Sequence, residues 1–304
     1  MGKAKNLFLM GKGGVGKSTS AALNSLFLAQ RGYKVLLVSL DPAHNQSDIF
    51  ERKLSHKETD LVPNLSAIEI EQERWIKKYL NDIQSQIKRT YSYLTAFNLD
   101  RYFSVIKHAP GLEEYALILA FKDIRRRFVN YDFLVFDMPP TALALKFFNI
   151  PYLSLIWIEH ILALREEIIK KRDIITKITI VNKERETDKI LNKLKEMKNE
   201  YLDLKETFES TSNTHIKLVL NPDKLSFAES LRILTFLKDI DIKLSQLILN
   251  KVREDLSGGN DFNAFGELPR LVFPNSEQPL IGIDKLQEFL ARNNDSIEKQ
   301  MLEV

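Results

Sequence analysis

The chain has 304 residues, with 44 Lys+Arg against 41 Asp+Glu, a formal net charge of +3, 44% hydrophobic and 28% charged residues. These are ordinary globular proportions, and so small a net charge makes no global case for DNA, RNA or an anionic membrane as the main partner. The absence of cysteine excludes disulfides, thiolate zinc sites, iron–sulfur clusters and a cysteine nucleophile.

At the N-terminus, Lys3 and Lys5 precede an apolar run, Leu7 to Met10, too short for the core of a signal peptide. A cytoplasmic protein is expected. Asn6 to Met10 reads as a strand, Gly11 to Gly16 as a glycine-rich loop, and Ser18 to Arg31 as a helix stopped by Gly32. A strand from Val35 to Leu40 ends at Asp41-Pro42, and Leu65 to Ile70 forms another after Pro63-Asn64. Arg74 to Phe97 has the character of a long charged helix, and Pro110-Gly111 opens a helix from Leu112 to Phe128. Phe133 to Phe136 is a buried-type strand ending at Asp137; Pro139-Pro140 then leads into a helical run to Ile150. The most apolar stretch, Ile150 to Leu164, is broken by Glu159 and His160 and falls short of the ~20 residues of a spanning helix. Pro151 to Ser212 is mostly helical and highly charged, and strands follow at Ile216 to Leu220 and Leu247 to Leu249. Strands alternating with helices predict an α/β fold, a doubly wound and mostly parallel sheet. The whole chain, 1–304, reads as one such domain, with a helical subdomain at about 155–212 and a second helical segment at 73–128.

Gly11, Lys12, Gly13, Gly14, Val15, Gly16, Lys17 and Ser18 fit the phosphate-loop pattern G-x-x-x-x-G-K-[ST] in the strand-to-helix context it requires. Glycines let backbone N–H groups converge on phosphate oxygens, and the following helix presents its positive dipole end. In this mechanism Lys17 bridges the terminal phosphates of ATP, Ser18 ligates Mg²⁺ and Thr19 reaches the α-phosphate.

The full string GKGGVGKST, with its second lysine at Lys12, resembles the deviant phosphate loop of nitrogenase iron protein, the septum-positioning and partition ATPases, and the arsenical pump-driving ATPase. The resemblance implies that Lys12 contacts nucleotide across a homodimer interface. Asp41-Pro42-Ala43-His44-Asn45-Gln46-Ser47-Asp48 resembles the first switch of the arsenical pump-driving and tail-anchored-protein-targeting ATPases. By that resemblance Asp48 positions the attacking water and Asp41 lies near the magnesium waters. Asn64 to Ala67 with Glu69-Ile70, and Pro110 to Glu114, resemble further segments of the same branch. Asn221 to Ser226 with Glu229 and Arg232 resembles a nucleotide-contacting segment, which assigns Asp223 to the nucleotide, and Asn250 matches an adenine-binding asparagine. An Asn amide suits adenine because it offers a donor and an acceptor together.

The second switch, Phe136 to Lys146, keeps Asp137 as the implied magnesium-shell aspartate and keeps Pro140-Thr141, but Ala142, Leu143 and Ala144 replace the family's glycine, histidine and threonine. A loop that normally flexes at glycine has lost it. The cysteines that bind arsenite in the pump, or zinc in many targeting ATPases, are absent, so no metalloid partner is expected. The stretch Tyr152 to Val181 is apolar but has no methionine, which argues for a narrower client or none, and an ordinary amphipathic core helix explains its apolar residues as well. The resemblance thus implies an ATP- and Mg²⁺-dependent cytosolic homodimeric switch with a hydrophobic protein client or membrane-protein partner. The alternatives are an ATP-sensing scaffold with little hydrolysis, and a partition-type ATPase on DNA or a membrane surface. Nucleic acid is disfavoured because Arg125-Arg126-Arg127 sits where cations complement a helix dipole.

Overall fold

The parallel strands are the apolar runs of the sequence, each bounded by a polar or glycine-rich turn. In the computed structural model, which describes residues 4–90, 109, 111–178, 188–253 and 262–301, they are β1 (Lys5–Met10), β2 (Val35–Ser39), β4 (Leu65–Glu69), β5 (Phe133–Asp137), β6 (Thr214–Leu220) and β7 (Gln246–Val252). Two more strands complete the sheet: β3 (Thr59–Val62) and β8 (Arg270–Pro274). Their order is β3-β4-β2-β5-β1-β6-β7-β8, and every pairing is parallel except β3 with β4. That hairpin turns at Pro63-Asn64, where Asn64 takes φ 66°, a left-handed position Asn tolerates. The doubly wound, mostly parallel α/β sheet is therefore present, with two edge strands absent from the sequence-based expectation, antiparallel β3 and parallel β8.

Helices follow the strands: α1 (Lys17–Gln30), α2 (Asn45–Ile49), α3 (Gln72–Thr90), α4 (Leu112–Arg127), α5 (Thr141–Ile178), α6 (Lys189–Glu209), α7 (Lys224–Asp239), α8 (Ile283–Arg292) and α9 (Asn294–Met301). The predicted continuation of the charged helix to Phe97 lies outside the described residues, as do Pro110 and much of the 73–128 segment's middle. Because strand side chains alternate, the central strands feed two cores. Leu7, Leu9, Leu37, Val135 and Val219 pack with Leu23, Leu26 and Phe27 of α1 on one face. On the other face Phe8 stacks on Phe136 at 4.9 Å between ring centroids, with Phe121 of α4 at 5.6 Å and Phe147 at 6.1 Å from Phe8.

The chain divides into two compact units, Met1–Phe147 with Thr211–Val304, and Phe148–Ser210. The first unit holds the sheet. Within the second, Phe148 meets Phe208 edge-on at 5.0 Å, Arg165 pairs with Asp188 at 2.9 Å, and Lys198 pairs with Glu159 at 2.9 Å. Helix α5 corrects the sequence reading. It passes through Pro151 and runs for 38 residues, so the apolar stretch is longer than Ile150 to Leu164. Its portion Thr141–Lys171, with mean hydropathy 1.4 in the most apolar window, is as long and apolar as a membrane-crossing helix, and only 28% of that window is buried. One missing backbone donor costs about 3 kcal/mol, and the burial of Phe147, Phe148, Leu155 and Ile158 on both sides of Pro151 outweighs it.

Candidate functional site

Strand β1 lies between β5 and β6, while the chain leaves it for β2 on one side and β6 receives the chain on the other. Its carboxyl end is a topological switch point, the place where open α/β sheets bind ligands. The glycine-rich loop occupies that point. Gly11 takes φ +152°, and a Cβ there would stand 2.2 Å from the Val219 carbonyl oxygen of β6, so no side chain fits. Gly16 is left-handed at φ +92° and starts α1; a Cβ there would stand 2.3 Å from Asn250 Nδ2. The loop therefore presses against β6 and β7 as closely as backbone allows.

The lysine of the loop is buried: Lys17 is 6% exposed, with Nζ 3.5 Å from the Lys12 carbonyl oxygen. Lys12 is partly exposed, and Ser18 and Thr19 lie in the first turn of α1. Asn250 donates Nδ2 to the Val15 carbonyl at 2.7 Å and so braces the loop from β7. Its neighbour Lys251 reaches the Gly14 carbonyl at 3.3 Å, a second cation at the loop that the pattern did not identify. Asp223, expected at the nucleotide, is exposed and caps α7 by accepting from Ser226 N at 2.8 Å. That is the ordinary work of an Asp before a helix.

Two carboxylates meet this loop from the ends of neighbouring strands, and a third stands on the short helix α2. Asp41 follows β2, is 6% exposed, and accepts from Ala43 N at 3.0 Å. Asp137 ends β5 and is fully buried. Burial pushes its carboxyl up to about 6, against the pull of hydrogen bonds from Gln46 and Ser18 and of the Lys17 charge. Asp48 stands exposed in the first turn of α2. The loop, Asp41 and Asp137 are thus brought together, while Asp48 is presented to solvent by the short helix beside them.

Several residues of this arrangement lie in the matched segments, but the motifs give them no role. Glu69, at the end of β4 and 3% exposed, accepts from Ser47 N at 2.8 Å and Ser47 Oγ at 2.7 Å, and His44 Nδ1 lies 3.4 Å away. The clamp holds the one-turn helix that carries Asp48. Thr141, first residue of α5, bonds Glu229 of α7 at 2.6 Å and the Gly11 carbonyl at 3.3 Å. Ala142, Leu143 and Ala144 lie within the first turn of a formed helix. Gln46, in the middle of the first switch, is fully buried and bonded to both Ser18 and Asp137.

Comparison with known proteins supplies the lineage. A family model described as anion-transporting ATPase matches residues 4–264. The chain belongs to the anion-transporting ATPase family. A relative named as an arsenical pump-driving ATPase, from Aquifex aeolicus, is 29% identical over 298 residues, covering 93% of this chain and 96% of that protein. The protein named ATPase ASNA1 homolog from Cryptosporidium parvum is 30% identical over 263 residues, 84% of this chain and 68% of its own. A protein of the same name from Plasmodium vivax is 29% identical over 255 residues, covering 81% and 63%. Membership of this ATPase family agrees with the phosphate loop at the switch point of a doubly wound sheet.

Proposed function

We propose that this member of the anion-transporting ATPase family is an Mg²⁺-dependent ATPase that acts in the cytosol as a nucleotide-gated homodimeric switch. The observation that carries the proposal is the convergence of a buried loop lysine, Lys17, with Ser18, Asp41 and Asp137 at the carboxyl ends of β1, β2 and β5. The donor set suits Mg²⁺, being a hydroxyl and carboxylates, all oxygen. Asp137 Oδ1 is buried without a hydrogen-bond partner, as expected of an acceptor kept for metal-bound water. When bound, Mg²⁺ neutralises charge on the phosphates.

In this mechanism the loop amides and Lys17 bind and orient the phosphates, Ser18 and the two buried aspartates hold the metal's ligands, and Asp48 orients the attacking water. Asp48→Asn should keep nucleotide binding and slow hydrolysis by about an order of magnitude or more, since only water orientation is lost. Steady-state turnover beside calorimetric ATP binding measures both, and an unchanged rate removes Asp48 from the mechanism. Lys12 serves the facing subunit's phosphates. Lys12→Ala should therefore weaken nucleotide-dependent dimer closure and turnover more than nucleotide binding by the monomer. Sedimentation with a non-hydrolysable analogue tests this, and a strictly monomeric wild type with analogue present would defeat the switch.

The exposed stripe Leu153, Trp157, Ile161, Leu164 and Ile168 on α5 supports a hydrophobic protein client as the partner. A second reading, an ATP-sensing scaffold with little hydrolysis, is favoured by the helical setting of Ala142 to Ala144, where glycine would otherwise loosen the turn. Turnover separates the two. The partition-type alternative loses support because Arg126 and Arg127 pair with Asp123 at 3.0 and 3.3 Å in the last turns of α4.

A further inference from the structure

Gln46 lies in the exposed first-switch segment, yet its side chain turns inward and is fully buried. Its Nε2 donates to the Ser18 carbonyl at 3.0 Å and to Asp137 Oδ2 at 2.9 Å. A carbonyl and a carboxylate are acceptors, so the carboxamide must turn its nitrogen to them. The amide oxygen, Oε1, is thereby directed elsewhere, and it is buried with no partner. Asp137 Oδ1 is also buried with no partner. Beside them Asn45 Nδ2 lies 3.5 Å from the Ser18 hydroxyl.

Unfilled buried acceptors cost free energy, and an apolar residue at position 46 would fill the same space without leaving one. Two such acceptors on one hydrogen-bonded pair are complementary to a group that offers only donors and positive charge. A hydrated divalent cation is that group. We propose that Gln46 is a positioning residue for the metal: its amide nitrogen orients Asp137 and ties it to the phosphate-loop helix, while its amide oxygen accepts from metal-bound water. The inference rests on the Mg²⁺-ATPase reading above and adds to it a residue that links metal occupancy to the first switch. Gln46 is next to Ser47, which Glu69 clamps, and two residues from Asp48. A metal drawing on Gln46 therefore acts on the helix that carries Asp48.

The test measures Mn²⁺ binding to the ADP-loaded protein by electron paramagnetic resonance, with ADP affinity in chelator and metal-free thermal melting as controls. Gln46→Leu should weaken Mn²⁺ by about tenfold or more, the usual scale for outer-shell partners of a metal, with ADP affinity in chelator unchanged. Gln46→Glu keeps an acceptor oxygen for metal-bound water but loses the donor that orients Asp137 Oδ2, so it should lose less Mn²⁺ affinity than the tenfold expected of Gln46→Leu. Mn²⁺ affinity of Gln46→Leu within twofold of wild type overturns the proposal, and so does a Gln46→Glu variant that loses as much as Gln46→Leu. If Gln46→Leu does not fold, the Gln46→Glu comparison decides alone. A wild type that binds neither ADP nor Mn²⁺ overturns the ATPase reading itself, an outcome visible before any variant is compared.

Discussion

Replacing Lys17 with alanine is expected to lower ATP affinity by at least about two orders of magnitude, measured by calorimetry in the presence of Mg²⁺. The loop otherwise meets the phosphates with neutral amides and a helix dipole end, so Lys17 is the one buried cation among its residues. Hydrogen bonds to charged groups contribute about 1.5 to 3 kcal/mol each, and an ammonium placed to bridge the β- and γ-phosphates makes two of them. Lys251 is the natural control. Its ammonium reaches the Gly14 carbonyl from the exposed side, where solvent screens it. Lys251→Ala should therefore cost far less affinity than Lys17→Ala. Equal losses would move the phosphate site outward, and no loss in either variant would remove the phosphate-loop assignment.

The parts of this fold that were legible in the sequence are those whose signal is local. β1, β2, β5 and β6 are apolar runs buried on both faces, and such runs stand out against any polar neighbour. β3 was not legible: Thr59-Asp60-Leu61-Val62 alternates weakly, and it is a strand because β4 offers it a partner across the Pro63-Asn64 turn. β8 is short, ends at Pro274 and is held by one parallel neighbour, β7. Helix α5 shows the opposite error, a local signal overruled. Pro151 marks a stop in isolation, but buried phenylalanines before it and buried Leu155 and Ile158 after it keep the helix going.

The same division runs through the site. The phosphate loop was legible because backbone geometry imposes its glycines, as the contacts of Gly11 with β6 and Gly16 with Asn250 make plain. Gln46, Glu69 and the Thr141–Glu229 pair were not, since each takes its meaning from a residue 22 to 91 positions away. A buried Gln in a first switch carries no signal until Asp137 is placed against it. Asp223 and Asn250 each have a local partner, Ser226 N and the Val15 carbonyl, beside the nucleotide contact that the resemblance implies for them.

Lys217 should make the protein less stable at neutral pH than it would be without it, and Lys217→Met should raise unfolding free energy near pH 7 by roughly a few kcal/mol. Its ammonium is fully buried on β6, and its hydrogen-bond acceptor is Asn24 Oδ1 of α1 at 3.0 Å. Burial pushes its pKa down to about 7. Between pH 7 and the ordinary lysine value near 10.4, the unfolded chain binds this proton and the folded chain does not, so stability rises with pH across that window. Below pH 7 both states are charged and the folded state carries the whole desolvation cost. The other strongly shifted groups act elsewhere. His215, lowered by burial to about 4, acts between pH 4 and 6.5; Asp137, raised to about 6, acts with opposite sign between pH 3.8 and 6; Tyr131, raised by burial to about 12, acts above pH 10. The rise between pH 7 and 10 therefore belongs to Lys217 among these groups, and denaturant unfolding should show it in the wild type and lose it in Lys217→Met. Methionine leaves Asn24 Oδ1 without its donor, a loss of about 1 to 3 kcal/mol that the double variant Lys217→Met, Asn24→Leu should recover. A wild-type stability that stays flat from pH 7 to 10 would mean that the Lys217 ammonium is solvated in the folded protein, and that α1 does not seal it from water.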